Sequence, residues 1–198
     1  MTVRVVLAED EAIIRLDLKE TLEEEGYEVV GETGRGDAVV DLVRELKPDI
    51  AILDIKMPGR DGLSVAADLT NEKLCATLIL TAFSQRDFIE QARDAGALAY
   101  LVKPFQRTEL VPAIELAIAR FGELKALAEQ AATLEEQLES RKLVDRAKGV
   151  LMDKHAMSES ESFSYIRSTA MSSRSTMKAV AELVLSGELP KSEGGATS

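Results

Sequence analysis

Tryptophan is absent from this chain, and cysteine and histidine occur once each. Each scarcity removes a class of function. Cys75 alone cannot form an intramolecular disulfide, and with His155 as its single companion it cannot build a His/Cys zinc site. No apolar stretch approaches the roughly eighteen residues needed to span a bilayer, and Met1 leads straight into a strand pattern without a signal-peptide arrangement. The expectation is a soluble, cytoplasmic protein with no membrane partner. Basic charge is also short: the formal net charge is −11, which argues against polyanion binding by the whole molecule. The deficit is uneven. Residues 1–122 carry −9, residues 123–140 carry −4 and residues 141–198 carry +2. Any nucleic-acid contact therefore belongs to the C-terminal segment.

What is present organises the chain clearly. The 198 residues, 45% of them hydrophobic, suffice for one domain of ordinary size and a smaller one. Runs at residues 3–8, 27–32, 50–54, 77–81 and 99–102 are short, β-branched and mostly continuous in apolar character, as strands covered on both faces require. Helical patterns lie between them, at about 11–25, 36–46, 62–70, 85–95 and from 107 onward, each long enough for a right-handed crossover. Five βα units predict a doubly wound α/β domain with a five-stranded parallel sheet of the flavodoxin type.

The last helical pattern continues far past that domain, to about Asp153, because Pro112 sits in a tolerable first turn and Gly122 and Gly149 cost only about 1 kcal/mol each. Leu124, Leu127, Ala131, Leu134 and Leu138 follow a 3-4-3-4 spacing, an a/d seam of about two heptads. Packing of this helix on its own domain is one reading; a coiled-coil seam that pairs two copies is the other, favoured by the solvated residues between. So short a seam is weak alone. Beyond it, Leu143, Val144, Ala147 and Val150, then Phe163, Ile166 and Ala170, then Met177, Val180, Ala181 and Val184 form three small apolar faces that bury one another as a three-helix unit. Ser158-Glu-Ser-Glu161 is a capping box opening the middle helix. The expected division is residues 1–121, a helical linker at 122–140, a three-helix unit at 141–186 and a frayed tail at 187–198.

In a doubly wound sheet the strand ends converge on one edge, where such folds bind ligands. Glu9, Asp10, Asp54, Thr81 and Lys103 all lie at or just after strand ends. Carboxylates placed together repel by about 4 kcal/mol per pair at 4 Å and an effective dielectric of 20. A hard divalent cation with oxygen ligands compensates, and Mg²⁺ suits the ligand count. Asp10 and Asp54 would be direct ligands, Glu9 would hold metal-bound water, and the Lys56 carbonyl would complete the set. Lys103 would pair with Asp54 when the metal is away. Metal, lysine and hydroxyl around one carboxylate suit phosphoryl transfer, with Asp54 as nucleophile forming an acyl phosphate. A purely structural ion-pair network is the alternative.

Val5–Asp10 (VVLAED), Ile52–Gly62 (ILDIKMPGRDG), Leu78–Phe83 (LILTAF) and Ala99–Phe105 (AYLVKPF) resemble, in order and spacing, the signature blocks of bacterial two-component response-regulator receiver domains. The resemblance implies that Asp54 accepts phosphate from a phosphohistidine on a sensor histidine kinase. It implies Glu9 and Asp10 as the acidic pair, Thr81 as the switch hydroxyl, Tyr100 as the switch aromatic and Lys103 as the phosphate-contacting lysine. A phosphoryl group adds about −1.5 to −2 charges; Thr81 moving toward it would vacate space for Tyr100 to turn inward, and the altered face would bias the seam helix toward a homodimer. The ring of Phe83, near the path of attacking water, is expected to slow hydrolysis. Lys56 stands where an independent hydrolase motif needs a second acid, so the chain is not read as an enzyme and no small-molecule substrate is expected.

Leu143–Met152 (LVDRAKGVLM), followed by Phe163, Ile166-Arg167, Ala170-Met171, Met177 and Val180-Ala181, resembles the ANTAR domain, an RNA-binding module, over about residues 135–186. Ser162 stands where that family usually has alanine. The resemblance implies paired units that recognise two neighbouring RNA hairpins in transcription antitermination. Splayed loop bases and phosphates are readable by a small helical surface, and Arg146, Lys148, Gly149, Arg167, Arg174 and Lys178 are the candidates. Gly149 either admits RNA or lets two helices cross closely. A DNA-binding regulator is the main alternative, although Glu159 and Glu161 put acid where a recognition helix needs base contacts. A protein-binding helical output is another.

Overall fold

The structure, a computed structural model, describes residues 2–82 and 86–188. The elements are β1 (Arg4–Ala8), α1 (Ala12–Glu24), β2 (Glu28–Thr33), α2 (Val39–Leu46), β3 (Ile50–Asp54), α3 (Gly62–Asn71), β4 (Ala76–Thr81), α4 (Arg86–Asp94), β5 (Ala99–Val102), α5 (Arg107–His155), α6 (Glu159–Ser172) and α7 (Met177–Ser186). Phe83, Gln85 and residues 189–198 of the expected tail lie outside the described residues.

Five parallel strands pair in the order β2-β1-β3-β4-β5. Strand alternation divides the core in two. Val6, Ala8, Ala51, Leu53 and Ile79 face α2 and α3, packing with Val39, Val43, Val65 and Leu69. Val5, Leu7, Ile50, Ile52, Leu78 and Leu80 face the other way, onto Leu18 and Leu22 of α1 and Leu110 and Ile114 of α5. Both faces are covered, which explains why the central strands read as unbroken apolar runs. Each fully buried leucine or isoleucine contributes about 1.5–3 kcal/mol.

Small departures from the sequence pattern have local causes. The stretch expected to be helical from residue 36 opens as a single 3-10 turn, Gly36–Ala38, before α2 begins. Tyr27 falls outside β2; its hydroxyl donates to Glu115 Oε1 at 3.1 Å. Burial, reinforced by the Glu115 carboxylate, pushes that hydroxyl up to about 12.

The chain divides into two compact units, residues 1–127 and residues 128–198, with α5 contributing to both. In the second unit Val144, Ala147 and Leu151 of α5, Ile166 and Ala170 of α6, and Val180, Ala181 and Val184 of α7 form one small core. The capping box is present: Ser158 accepts from the Glu161 N–H, and the Glu161 carboxylate accepts from the Ser158 N–H at 2.8 Å. Phe163 is not in this core and is 42% exposed. The buried stripe of α6 runs through Ser162, Ile166, Thr169 and Ala170, and the next residue, turned about 100° around a helix of 3.6 residues per turn, falls on its flank. Ser162, fully buried, satisfies its hydroxyl by donating to the Ser158 carbonyl at 2.9 Å.

Among the described residues no helix is long and apolar enough to cross a membrane. Cys75 is buried, and burial pushes its thiol up to about 12. Because the thiolate is the reactive form, native protein at mildly alkaline pH should resist Ellman's reagent and react promptly in urea. Stoichiometric labelling of the native state would contradict this packing.

Candidate functional site

The strand order reverses between β1 and β3, and the carboxyl ends of those two strands bring the acidic residues together. Asp54 closes β3; Glu9 and Asp10 follow β1. Their carboxylate oxygens lie within 4.8 Å of one another. Glu9 is 1% exposed and Asp54 7%, while Asp10 is exposed. A cleft of about 230 Å³ opens beside them, lined by Asp10, Asp54, Lys56, Thr81 and Lys103.

Each buried carboxylate is held. The Lys103 ammonium, reaching in from the end of β5, donates to Asp54 Oδ1 at 2.7 Å and also to Glu9. The pairing therefore includes the expected Asp54 and a second acid that the sequence did not point to. The Lys56 N–H donates to Asp54 Oδ2 at 2.9 Å, and the Glu11 N–H to Glu9 Oε1 at 3.2 Å. Burial pushes the Glu9 carboxyl above its ordinary value, against the opposing pull of Lys103. Burial alone would lower the Lys103 ammonium; hydrogen bonds and charge from Asp54 and Glu9 outweigh it and raise its pKa. Thr81, buried at the end of β4, shares a hydrogen bond with the Tyr100 hydroxyl, which burial raises above its ordinary value.

The loop after Asp54 is shaped by close backbone packing. A Cβ on Gly62 would sit 2.0 Å from the Asp54 carbonyl oxygen, and one on Gly36 would sit 1.9 Å from that of Arg60. Only glycine fits either place. The Gly36 N–H donates to the Pro58 carbonyl at 3.0 Å, so the turn after β2 braces the loop carrying Lys56.

The candidate RNA residues are spread over the second unit. Arg146 and Arg167 are exposed, and exposed Arg174 sits in the α6–α7 turn with φ of 52°. Lys148 is largely covered and is paired with Asp145 at 3.0 Å and Glu159 at 2.9 Å, tying α5 to α6. Gly149 has open space around it: a Cβ would meet nothing within 4 Å. Close helix crossing is therefore not the reason for this glycine. Lys178 lies in the first turn of α7 beside a cleft between α5, α6 and α7.

Residues 5–115 match the response regulator receiver domain model, and residues 132–185 match the ANTAR domain model. The chain belongs to the response regulators. It joins a receiver domain to a C-terminal ANTAR domain, both regulatory modules. The regulator is 57% identical over 182 residues to the transcriptional regulatory protein PdtaR of Mycobacterium tuberculosis, covering 92% of this chain and 89% of that one. It is 37% identical to the chemotaxis protein CheY of Thermotoga maritima over 112 residues, 56% of this chain and 93% of the other. Among solved structures, the receiver domain of the NarL response regulator from Mycobacterium tuberculosis superposes with a TM-score of 0.57 at 34% identity, covering 60% of this chain and 97% of that chain.

Removing the Lys103 ammonium would leave the buried Glu9 and Asp54 carboxylates without a compensating charge. Lys103→Ala should cost about 3 kcal/mol of stability in metal-free buffer, and millimolar Mg²⁺ should restore more stability to the variant than to the parent. Urea unfolding with and without Mg²⁺ tests this; equal Mg²⁺ effects on both proteins would contradict it.

Proposed function

We propose that Asp54 is the phosphoacceptor of this regulator and that its phosphorylation by a sensor histidine kinase promotes dimerisation and the binding of paired RNA hairpins in transcription antitermination. The observation that carries this reading is the setting of Asp54: a nearly buried carboxylate at the strand-order reversal, with Glu9 and Asp10 within 4.8 Å and Lys103 at 2.7 Å. Three clustered oxygen-rich side chains are the donor set that a hard divalent cation takes. Asp10, Asp54 and the Lys56 carbonyl would hold Mg²⁺, with Glu9 reaching it through water. When bound, Mg²⁺ neutralises charge on the transferring group.

Asp54 supplies the nucleophilic oxygen: its bond to phosphorus forms as the phosphorus–nitrogen bond of the donor's phosphohistidine breaks. Lys103 exchanges part of its contact with Asp54 for an oxygen of the arriving group. Thr81 donates its hydroxyl to another such oxygen, which releases Tyr100 from their shared hydrogen bond to turn inward. Residues 1–121 act as receiver, 122–140 as helical linker, 141–186 as output and 187–198 as tail.

The linker supports the dimer reading. Leu124, Leu127, Leu134 and Leu138 are each more than half exposed, so most of the seam's apolar surface is left open. Small clusters of exposed leucine at a/d spacing are what a second helix buries.

The full-length protein with Mg²⁺ and acetyl phosphate should gain one phosphoryl group, sediment more as a dimer and retain tandem RNA hairpins. Asp54→Ala should do none of these. A phosphoryl group mapped by mass spectrometry to another residue, or a modification that changes neither association nor RNA retention, would overturn the reading. Replacing Leu127 and Leu134 together by glutamate should weaken the phosphorylated dimer at least about ten-fold, or 1.4 kcal/mol. Sedimentation equilibrium measures this, and urea midpoints should stay unchanged because both side chains are exposed.

A further inference from the structure

The second unit holds a cleft of about 710 Å³ where α5, the start of α6 and the start of α7 meet. That size lies within the range of roughly 300–1,000 Å³ typical of small-ligand sites. Phe163 lines it with its ring 42% exposed, although a buried stripe was available one position away on the same helix. Around the ring stand Arg141, Lys178, Gln137 and Thr176. Among the described residues no salt bridge engages Arg141, and Lys178 feels the charge of Glu139 without a close ion pair; Lys148, at the same cleft, is by contrast paired with both Asp145 and Glu159. An exposed aromatic face with an arginine, a lysine and hydrogen-bonding side chains at the same cleft is the chemistry that holds an unstacked base and its phosphate.

We infer that this cleft is a nucleobase site, in which an unpaired base of an RNA loop stacks on Phe163 while its phosphate meets Arg141 and Lys178. The inference rests on the RNA reading above and names the site through which it works. Gln137 and Thr176 offer amide and hydroxyl groups to the base edge. The acidic residues of the lining, Glu136 and Asp145, keep the cleft from drawing polyanions indiscriminately, so the ring rather than net charge carries affinity.

The cleft and the dimer seam adjoin on one helix, and Arg141 and Asp145 of the cleft follow Leu134 and Leu138 at seven-residue spacing. Thr133, Gln137, Ser140 and Val144 line the cleft, whereas Leu134 and Leu138 belong to the seam. The two stripes are one residue apart, or about 100° around the helix.

The test uses the full-length protein, treated with Mg²⁺ and acetyl phosphate, and a pool of tandem RNA hairpins with randomised loops, from which retained RNA is remade with 2-aminopurine in the loops. Phe163→Ala should weaken binding about ten-fold and abolish the fluorescence quenching of stacked 2-aminopurine, Phe163→Tyr should keep both, and Phe163→Leu should bind like the alanine variant. Arg141→Gln should lower the slope of log affinity against log salt by about 1. Urea midpoints matching the parent establish that the variants are folded. Parent protein that retains no hairpin overturns the RNA reading and this site with it. Parent protein that binds while Phe163→Ala binds equally overturns the site alone. Loss of self-association in Phe163→Ala, matching its loss of RNA, would make the ring a contact between two copies and overturn the assignment.

Discussion

Repulsion among carboxylates is the constraint around which the receiver unit is arranged. Glu9 and Asp54 are almost fully enclosed, and at such separations each charged pair costs several kcal/mol unless something positive stands between them. Lys103 is that charge, and it divides itself between both acids. The division leaves the ammonium with no exclusive partner. A phosphoryl group on Asp54 brings further negative oxygens into reach of the same lysine, so the site is held together by a contact that the proposed modification must rearrange.

The backbone around this charge cluster was legible from the residues because two independent signals agreed. Continuous apolar strands announced a sheet covered on both sides, and the acidic, hydroxyl and lysine positions all fell at strand ends, which a parallel sheet places along one edge. What escaped was set by packing rather than by pattern. Nothing in the spacing distinguishes Asp54 from Glu9 as the partner of Lys103, since that depends on how far each side chain reaches across the edge. Nor does it show that Gly36 must lack a side chain to let the turn after β2 brace the Lys56 loop.

The output unit was harder to read for a related reason. Two of its three helices are short and the third is the end of a long one, and apolar residues fall on more positions than a small core can bury. Phe163 belongs to the apolar pattern of α6, yet the smaller Ser162 occupies the interior and turns its hydroxyl back onto the Ser158 carbonyl. A serine at a buried helical position beside a phenylalanine was the available clue that the larger side chain had been displaced outward. Lys148, basic and near a glycine, read as a contact for RNA; spacing did not show that its ammonium also pairs with Asp145 and Glu159. Arg141 drew no attention because it lies where the seam ends and the output unit begins.

The short seam and the single phosphoacceptor are matched in scale. Carrying an equilibrium from 1:99 to 99:1 requires about 5.5 kcal/mol of differential stabilisation, more than one rearranged lysine contact and one hydroxyl are expected to deliver. A long, strong coiled coil would be dimeric whatever the state of Asp54. A seam of about two heptads is marginal alone, so on the proposed reading a change of 1 to 3 kcal/mol, typical of coupling between sites, moves a large fraction of the population. The three residues between Lys103 and the start of α5 make the lysine and the helix parts of one continuous segment. A weak seam is then not a defect of the helix but the condition under which a small electrostatic event at Asp54 is able to govern it.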